Sequence, residues 1–185
     1  KNYIKFINKK KSIMEMYINN FPEISNFKRF TDKSLNNFAN IDLIIQLFPK
    51  AKFINCVRNP KENAIAIFKN NFDTLPWSLN IKSILKYMDE YFKLINHYKK
   101  KYKERIYTLD HKNLVCDKEN TSKKLFEFLG IKWKPEFLDI HKKKFTTGTS
   151  SKRQIKKKIS KSFLNKYTDY YKNLDQFKKY YNWLN

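Results

Sequence analysis

The stretch Lys52-Phe-Ile-Asn-Cys-Val57 runs straight into Arg58-Asn-Pro-Lys-Glu62, and this junction narrows the folds open to the chain. The first part is apolar and β-branched enough to be a buried strand. In the second, Asn59 is an N-cap, Pro60 takes the first helical position, and Glu62 stands third in capping-box register. The strand therefore turns directly into a helix. Upstream, an extended segment near Phe27–Thr31 and a helix from about Leu35 to Phe48, stopped by Pro49, complete a strand, helix, strand unit. At about 30 residues, it has the size of a parallel crossover.

The rest of the chain continues this pattern. Residues 3–19 place Ile4, Ile7, Ile13, Met14, Tyr17 and Ile18 at helical spacing. A long amphipathic helix is expected from Ser78 to Tyr102, with Ile81, Ile84, Leu85, Met88, Tyr91, Phe92 and Ile95 on one face. Arg105–Leu109 reads as a third strand, Thr121–Gly130 as a short helix closed by Gly130 at C′, and Ser162–Leu184 as a final helix. No internal repeat interrupts this order, and the one shift in composition is the basic stretch from Lys142 to Lys161. The layout predicts a single domain, residues 1–185, carrying a basic loop.

Composition excludes several function classes. Gly130 and Gly148 are the only glycines, so neither a GxxxxGK loop nor a GxGxxG fingerprint fits, and a self-contained nucleotide-hydrolysing domain is ruled out. The formal charge is +23, from 40 Lys and Arg against 17 Asp and Glu. Only four of the cations are Arg. The remaining Lys spread a field that favours polyanions without choosing among them. Cys56 and Cys116 have no partner at metal-ligand spacing, which predicts no metal site, no disulfide framework and a reducing, cytoplasmic compartment. No apolar run approaches the roughly 20 residues that cross a bilayer.

Two cations stand out by position. Lys33 follows the first expected strand and Arg58 the second, so in a parallel pair both would lie at the carboxyl edge, where open α/β sheets bind ligands. Arg58 also precedes a helix N-terminus, where free N–H groups and the macrodipole favour an anion. Position alone also allows both to be solvated loop charges.

The segment Phe48-Pro-Lys-Ala-Lys-Phe-Ile-Asn-Cys-Val-Arg-Asn-Pro-Lys-Glu-Asn-Ala-Ile-Ala66 resembles the 3′-phosphate-binding strand, loop and helix of bacterial and Golgi-type sulfotransferases that use 3′-phosphoadenosine 5′-phosphosulfate (PAPS). Thr31-Asp-Lys-Ser-Leu-Asn36 is similar to the Asp-Lys-x-Pro-x-Asn segment that precedes it in that family. Leu109-Asp-His-Lys-Asn-Leu-Val115 resembles the family's Tyr-Glu-Asp-Leu-Val segment, followed in both by a helix ending Phe-Leu-Gly-Ile. Thr149-Ser-Ser-Lys-Arg-Gln-Ile-Lys156 resembles the loop that closes over the cofactor. The four segments occur in the family's order.

The resemblance implies a PAPS-dependent sulfotransferase. It implies a P-loop-NTPase-like α/β fold: a parallel sheet flanked by helices, helix-rich, and here lacking its first strand and phosphate loop. Arg58 would hold the 3′-phosphate and Lys33 would face the sulfuryl group. Ser151 and Lys156, or Lys157 if the register shifts by one, would approach the nucleotide from the closing loop. The acceptor would be a hydroxyl or amine of a small molecule, glycan or protein, with no metal, no membrane span in this chain and no specific nucleic acid. The chain also departs from the pattern. Ala66 stands where the family places a phosphate-binding Ser, and His111 and Lys112 replace its Tyr and Glu. The early Arg-Ser-Gly-Thr-Thr type turn and the Glu that commonly serves as base are missing. These departures give the expectation of a carboxyl-terminal part, truncated at its N-terminus and inactive alone. The alternatives are a basic nucleic-acid-binding module, against which the aromatics follow core periodicity, and a non-catalytic relative that binds nucleotide only.

Overall fold

The structure is a computed structural model that describes residues 11–16, 18–21, 26–142 and 158–185. Residues 11–16 and 18–20 are helical, as the spacing predicts for that part of the first segment. The tight 3-10 turns of Leu35–Asn40 then lead into α1 (Ile41–Leu47), β1 (Phe53–Val57), α2 (Pro60–Asn70), α3 (Ile81–Lys101), β2 (Ile106–Asp110), α4 (His111–Cys116) and α5 (Lys118–Leu129). β1 and β2 form a parallel pair, with Phe53 opposite Ile106 and Val57 opposite Asp110. The result is a helix-rich α/β fold around a small parallel sheet, in which α2 and α3 make the crossover.

Each strand passes into a helix at the same edge of the sheet, and each helix start is capped by a side chain. Asn59 Oδ1 accepts the N–H groups of Lys61 and Glu62 at 2.9 and 3.3 Å, and Asp110 Oδ1 accepts that of Asn113 at 2.9 Å. Asn80 caps α3 in the same way, accepting from Lys82 N at 2.8 Å. Lys99, Lys100 and Lys101 fill the last turn of α3, where positive charge complements the helix dipole.

α3 organises the interior because its apolar face is long enough to serve two clusters. Its first half, with Ile84, Leu85 and Met88, packs against Ala64 and Ile65 of α2 and against Leu174, Phe177 and Leu184. Its second half, with Ile95 and Tyr98, packs against Ile41 of α1 and Ile106 of β2. Each Ile, Leu, Met or Phe among them contributes about 1.5 to 3 kcal/mol when withdrawn from water.

Two expected elements take a different form. Residues 27–31 are not a strand. Phe27 and Phe30 are 67% and 43% exposed, so the segment has no buried face to hold it in a sheet. It is held by other contacts: Arg29 Nη1 donates to Leu129 O at 2.6 Å, Phe30 meets Phe48 edge-on, and Asp32 Oδ1 turns the chain by accepting Ser34 N–H at 2.9 Å. The partner of β1 is therefore β2.

The carboxyl-terminal stretch is not one helix but tight turns at Lys161–Phe163, Thr168–Phe177 and Asn182–Leu184. Asn165 sits in the left-handed region at φ 54, which breaks the path. Closely spaced Tyr residues also lose side-chain freedom in an α-helix. The segment instead lays Leu174, Phe177 and Leu184 across α2 and α3.

Candidate functional site

Arg58 leaves the sheet one residue beyond the end of β1 and lies half-buried before α2. Its Nε donates to Asn63 Oδ1 at 3.1 Å. No other hydrogen bond of Arg58 occurs among the described residues, so both Nη groups remain available. Burial pushes the guanidinium down from its ordinary value, and the charges of Glu62, Tyr167 and Tyr171 oppose that shift. An arginine remains charged under such conditions, so a partly desolvated cation faces the carboxyl edge of the sheet.

The helix start contributes less than the sequence predicts. Pro60 has no N–H, and Asn59 occupies those of Lys61 and Glu62 through its side chain and that of Asn63 through its carbonyl at 3.0 Å. The macrodipole remains, but free amides do not. What this turn offers is therefore the Arg58 side chain rather than the amides of the helix.

Glu62 also departs from its expected role. In a capping box it would reach back to the Asn59 N–H. Instead it is 3% exposed, and its Oε1 accepts Tyr167 N–H at 2.8 Å and the Tyr171 hydroxyl at 3.0 Å. Burial and the Glu62 contact push the Tyr171 hydroxyl up to about 12, so it stays a donor. The carboxyl-terminal segment thus reaches the helix that follows Arg58. Sequence reading missed this contact, since the four-residue spacing of Tyr167 and Tyr171 gave no sign of a partner more than 100 positions away.

Lys33 lies exposed on the irregular stretch before Leu35, not at the end of a strand paired with β1. Its neighbours set the course of that stretch. Arg29 is tied to the end of α5, while Phe38 stands edge-on to Tyr87 and Tyr91 of α3. Tyr91 in turn donates to Asn55 Oδ1 of β1 at 2.5 Å. Ala66 is 6% exposed, one turn beyond Glu62 on α2, and its carbonyl accepts Asn70 Nδ2 at 2.8 Å. Ser151 and Lys156, with Lys157, fall outside the described residues. His111 opens α4 half-exposed beside the Asp110 cap.

A separate hollow of about 320 Å³ between β2, α4 and α5 is lined by Thr108, Asp110, Asn113 and Asp117 among others, and includes neither Arg58 nor Lys33. Asp110 and Asp117 there face a single cation, Lys124, so the hollow carries a net acidic lining. Among the described residues no cluster of three or more His, Cys, Asp or Glu side chains is placed to hold a metal, and no helix is long and apolar enough to cross a membrane.

A parallel strand that hands a half-buried arginine to a capped helix defines an α/β protein with a partly desolvated cation at its sheet edge. The pattern described as "Sulfotransferase family" matches residues 7–135, and the chain belongs to that family. It is also similar to an uncharacterized protein of Aquifex aeolicus (strain VF5), with 28% identity over 169 residues, covering 89% of this chain. The chain spans 22% of that relative's length.

Proposed function

We propose that the protein is a PAPS-dependent sulfotransferase in which Arg58 binds the 3′-phosphate of the donor and Lys33 faces the group in transit. The observation that carries this reading is the state of Arg58: half-buried, fixed at Nε by Asn63, with both Nη groups unbonded among the described residues. A guanidinium so held presents two parallel N–H donors, which match two phosphate oxygens.

PAPS, when bound, would supply an activated sulfuryl group: the oxygen or nitrogen of a hydroxyl or amine acceptor attacks the sulfur in line, the bond from sulfur to the bridging phosphate oxygen breaks, 3′-phosphoadenosine 5′-phosphate (PAP) leaves, and the acceptor's proton passes to solvent. The chain's own residues supply position and charge. Arg58 fixes one end of the nucleotide, and holding the reactants in line lowers the entropic part of the barrier. Lys33, itself exposed, offers an ammonium to the negative charge that grows on the bridging oxygen.

Ser151 and Lys156 are assigned to nucleotide contact by the resemblance of Thr149–Lys156 to the family segment. Ala66 adds no side-chain donor, so Arg58 carries a larger share of 3′-phosphate recognition. Residues 1–185 form one domain of P-loop-NTPase-like architecture in this reading, supported by the parallel β1–β2 pair and by an α3 that serves both core clusters.

The test is titration calorimetry of Arg58→Ala. A hydrogen bond to a charged group contributes about 1.5 to 3 kcal/mol. The substitution should therefore weaken PAP by about tenfold or more. Adenosine 5′-phosphosulfate lacks the 3′-phosphate and should be nearly unaffected. Equal losses for the two ligands would remove Arg58 from 3′-phosphate recognition.

A further inference from the structure

Arg58 and Glu62 stand four positions apart at one helix start, attract each other electrostatically, and yet form no ion pair within 4.0 Å among the described residues. Each is committed elsewhere. Arg58 Nε is taken by Asn63 Oδ1 at 3.1 Å, and Glu62 Oε1 by Tyr167 N–H at 2.8 Å and the Tyr171 hydroxyl at 3.0 Å. Glu62 is the carboxylate whose charge acts on this guanidinium, and so competes for it with an incoming phosphate. An arginine already neutralised by a carboxylate would have to break that pair before binding an anion, at a cost that rises in a partly desolvated setting.

We infer that Asn63 and Tyr171 are positioning residues that keep Arg58 out of an ion pair with Glu62, so that its two Nη groups stay free for an anionic oxygen pair. Asn63 acts on the cation. It uses the Nε donor and so directs recognition to the end of the fork, where the two Nη groups donate in parallel. Tyr171 acts on the anion. With the Tyr167 amide, it holds the carboxylate on the side of the carboxyl-terminal segment, which lies beyond the residues matched by the family pattern. The device is thus assembled from two distant parts of the chain. Its inference rests on the reading of Arg58 as the phosphate-binding residue.

The experiment is a set of calorimetric titrations of the full chain with PAP and with AMP, below the melting temperature of every variant. Asn63→Ala and Tyr171→Phe should each weaken PAP by about three- to tenfold, the range of one hydrogen bond, while AMP changes little. Two cycles then separate positioning from a merely structural role. Combined with Glu62→Gln, which removes the competing charge but keeps an acceptor, Tyr171→Phe should cost no further PAP affinity. Combined with Arg58→Ala, Asn63→Ala should also cost none. An equal loss from Tyr171→Phe with or without Glu62→Gln would overturn the inference. So would a loss from Asn63→Ala that persists in the Arg58→Ala background. If Arg58→Ala itself leaves PAP affinity unchanged, the parent reading of the site fails, and the positioning inference fails with it.

Discussion

Replacing Glu62 by Ala should be among the most destabilising single changes available, because one carboxylate oxygen joins α2 to the carboxyl-terminal segment. Glu62 is 3% exposed, and its Oε1 accepts from Tyr167 N and Tyr171 Oη. Each hydrogen bond to a charged group contributes about 1.5 to 3 kcal/mol, and the Tyr167 amide would be left without its acceptor. Tyr171 is only partly buried, so its hydroxyl can recover some of the loss from water. The lower end of the sum applies, about 3 kcal/mol, which for a chain of this size lowers the melting temperature by about 6 to 12 °C. Glu62→Gln keeps an acceptor oxygen and should cost about 1.5 kcal/mol, since a neutral hydrogen bond is roughly half as strong. Urea unfolding gives both values, and hydrogen exchange at the Tyr167 amide reports the contact itself. That amide should lose protection in Glu62→Ala and keep most of it in Glu62→Gln. A loss below about 1 kcal/mol for Ala, or equal losses for the two variants, would refute the role of the carboxylate as an acceptor.

The remaining predictions concern the same frame. The Tyr171 hydroxyl is pushed up to about 12. An unfolded tyrosine titrates near pH 10. With the folded value above the unfolded one, the stability it contributes is complete below about pH 10 and is lost as pH rises toward 12. Tyr87, Tyr91 and Tyr98 are also raised by burial, so tyrosinate absorbance should show several late-titrating groups, of which Tyr171→Phe removes one, and an unchanged titration would contradict the Glu62 contact. Leu174, 2% exposed, fills the cluster between α2 and α3, and Leu174→Ala should cost about 2 to 5 kcal/mol by urea unfolding. A cost under about 1 kcal/mol would mean that the segment does not pack there. Gly130 has φ 65, and nothing lies within 4 Å of an added Cβ. Gly130→Ala should therefore cost only the backbone strain, about 1 to 2 kcal/mol, and a larger loss would point to a clash that the geometry lacks.

What could be read from the sequence was what local chemistry decides. β1 falls within the apolar run ending at Val57, Asn59 caps α2, Gly130 closes α5, and the face of α3 matches its Ile, Leu and Met spacing. Each depends on residues within a turn or two of one another. Residues 27–31 misled because two Phe in an extended stretch suggest a strand, whereas strand formation requires a buried face, which neither ring finds. Glu62 misled for a related reason. Its capping-box register is a local signal, and two donors from the far end of the chain outcompete one backbone N–H nearby. Arg58 could be found as a candidate because it stands between a strand and a helix. That Asn63 fixes its orientation emerges only from the folded geometry.

The most direct measurement of the central claim is the thermal stability of the full chain with PAP, AMP or a single-stranded oligonucleotide, at low salt and at about 0.15 M salt, where exposed charges are screened beyond about 8 Å. A chain of net charge +23 attracts all three at low salt. Localised recognition by Arg58 predicts that PAP still raises the melting temperature at about 0.15 M salt, and well beyond AMP, while the oligonucleotide effect is largely lost. Tight oligonucleotide binding at that salt, with no PAP shift beyond that of AMP, would contradict the sulfotransferase account and assign the charge to nucleic-acid binding.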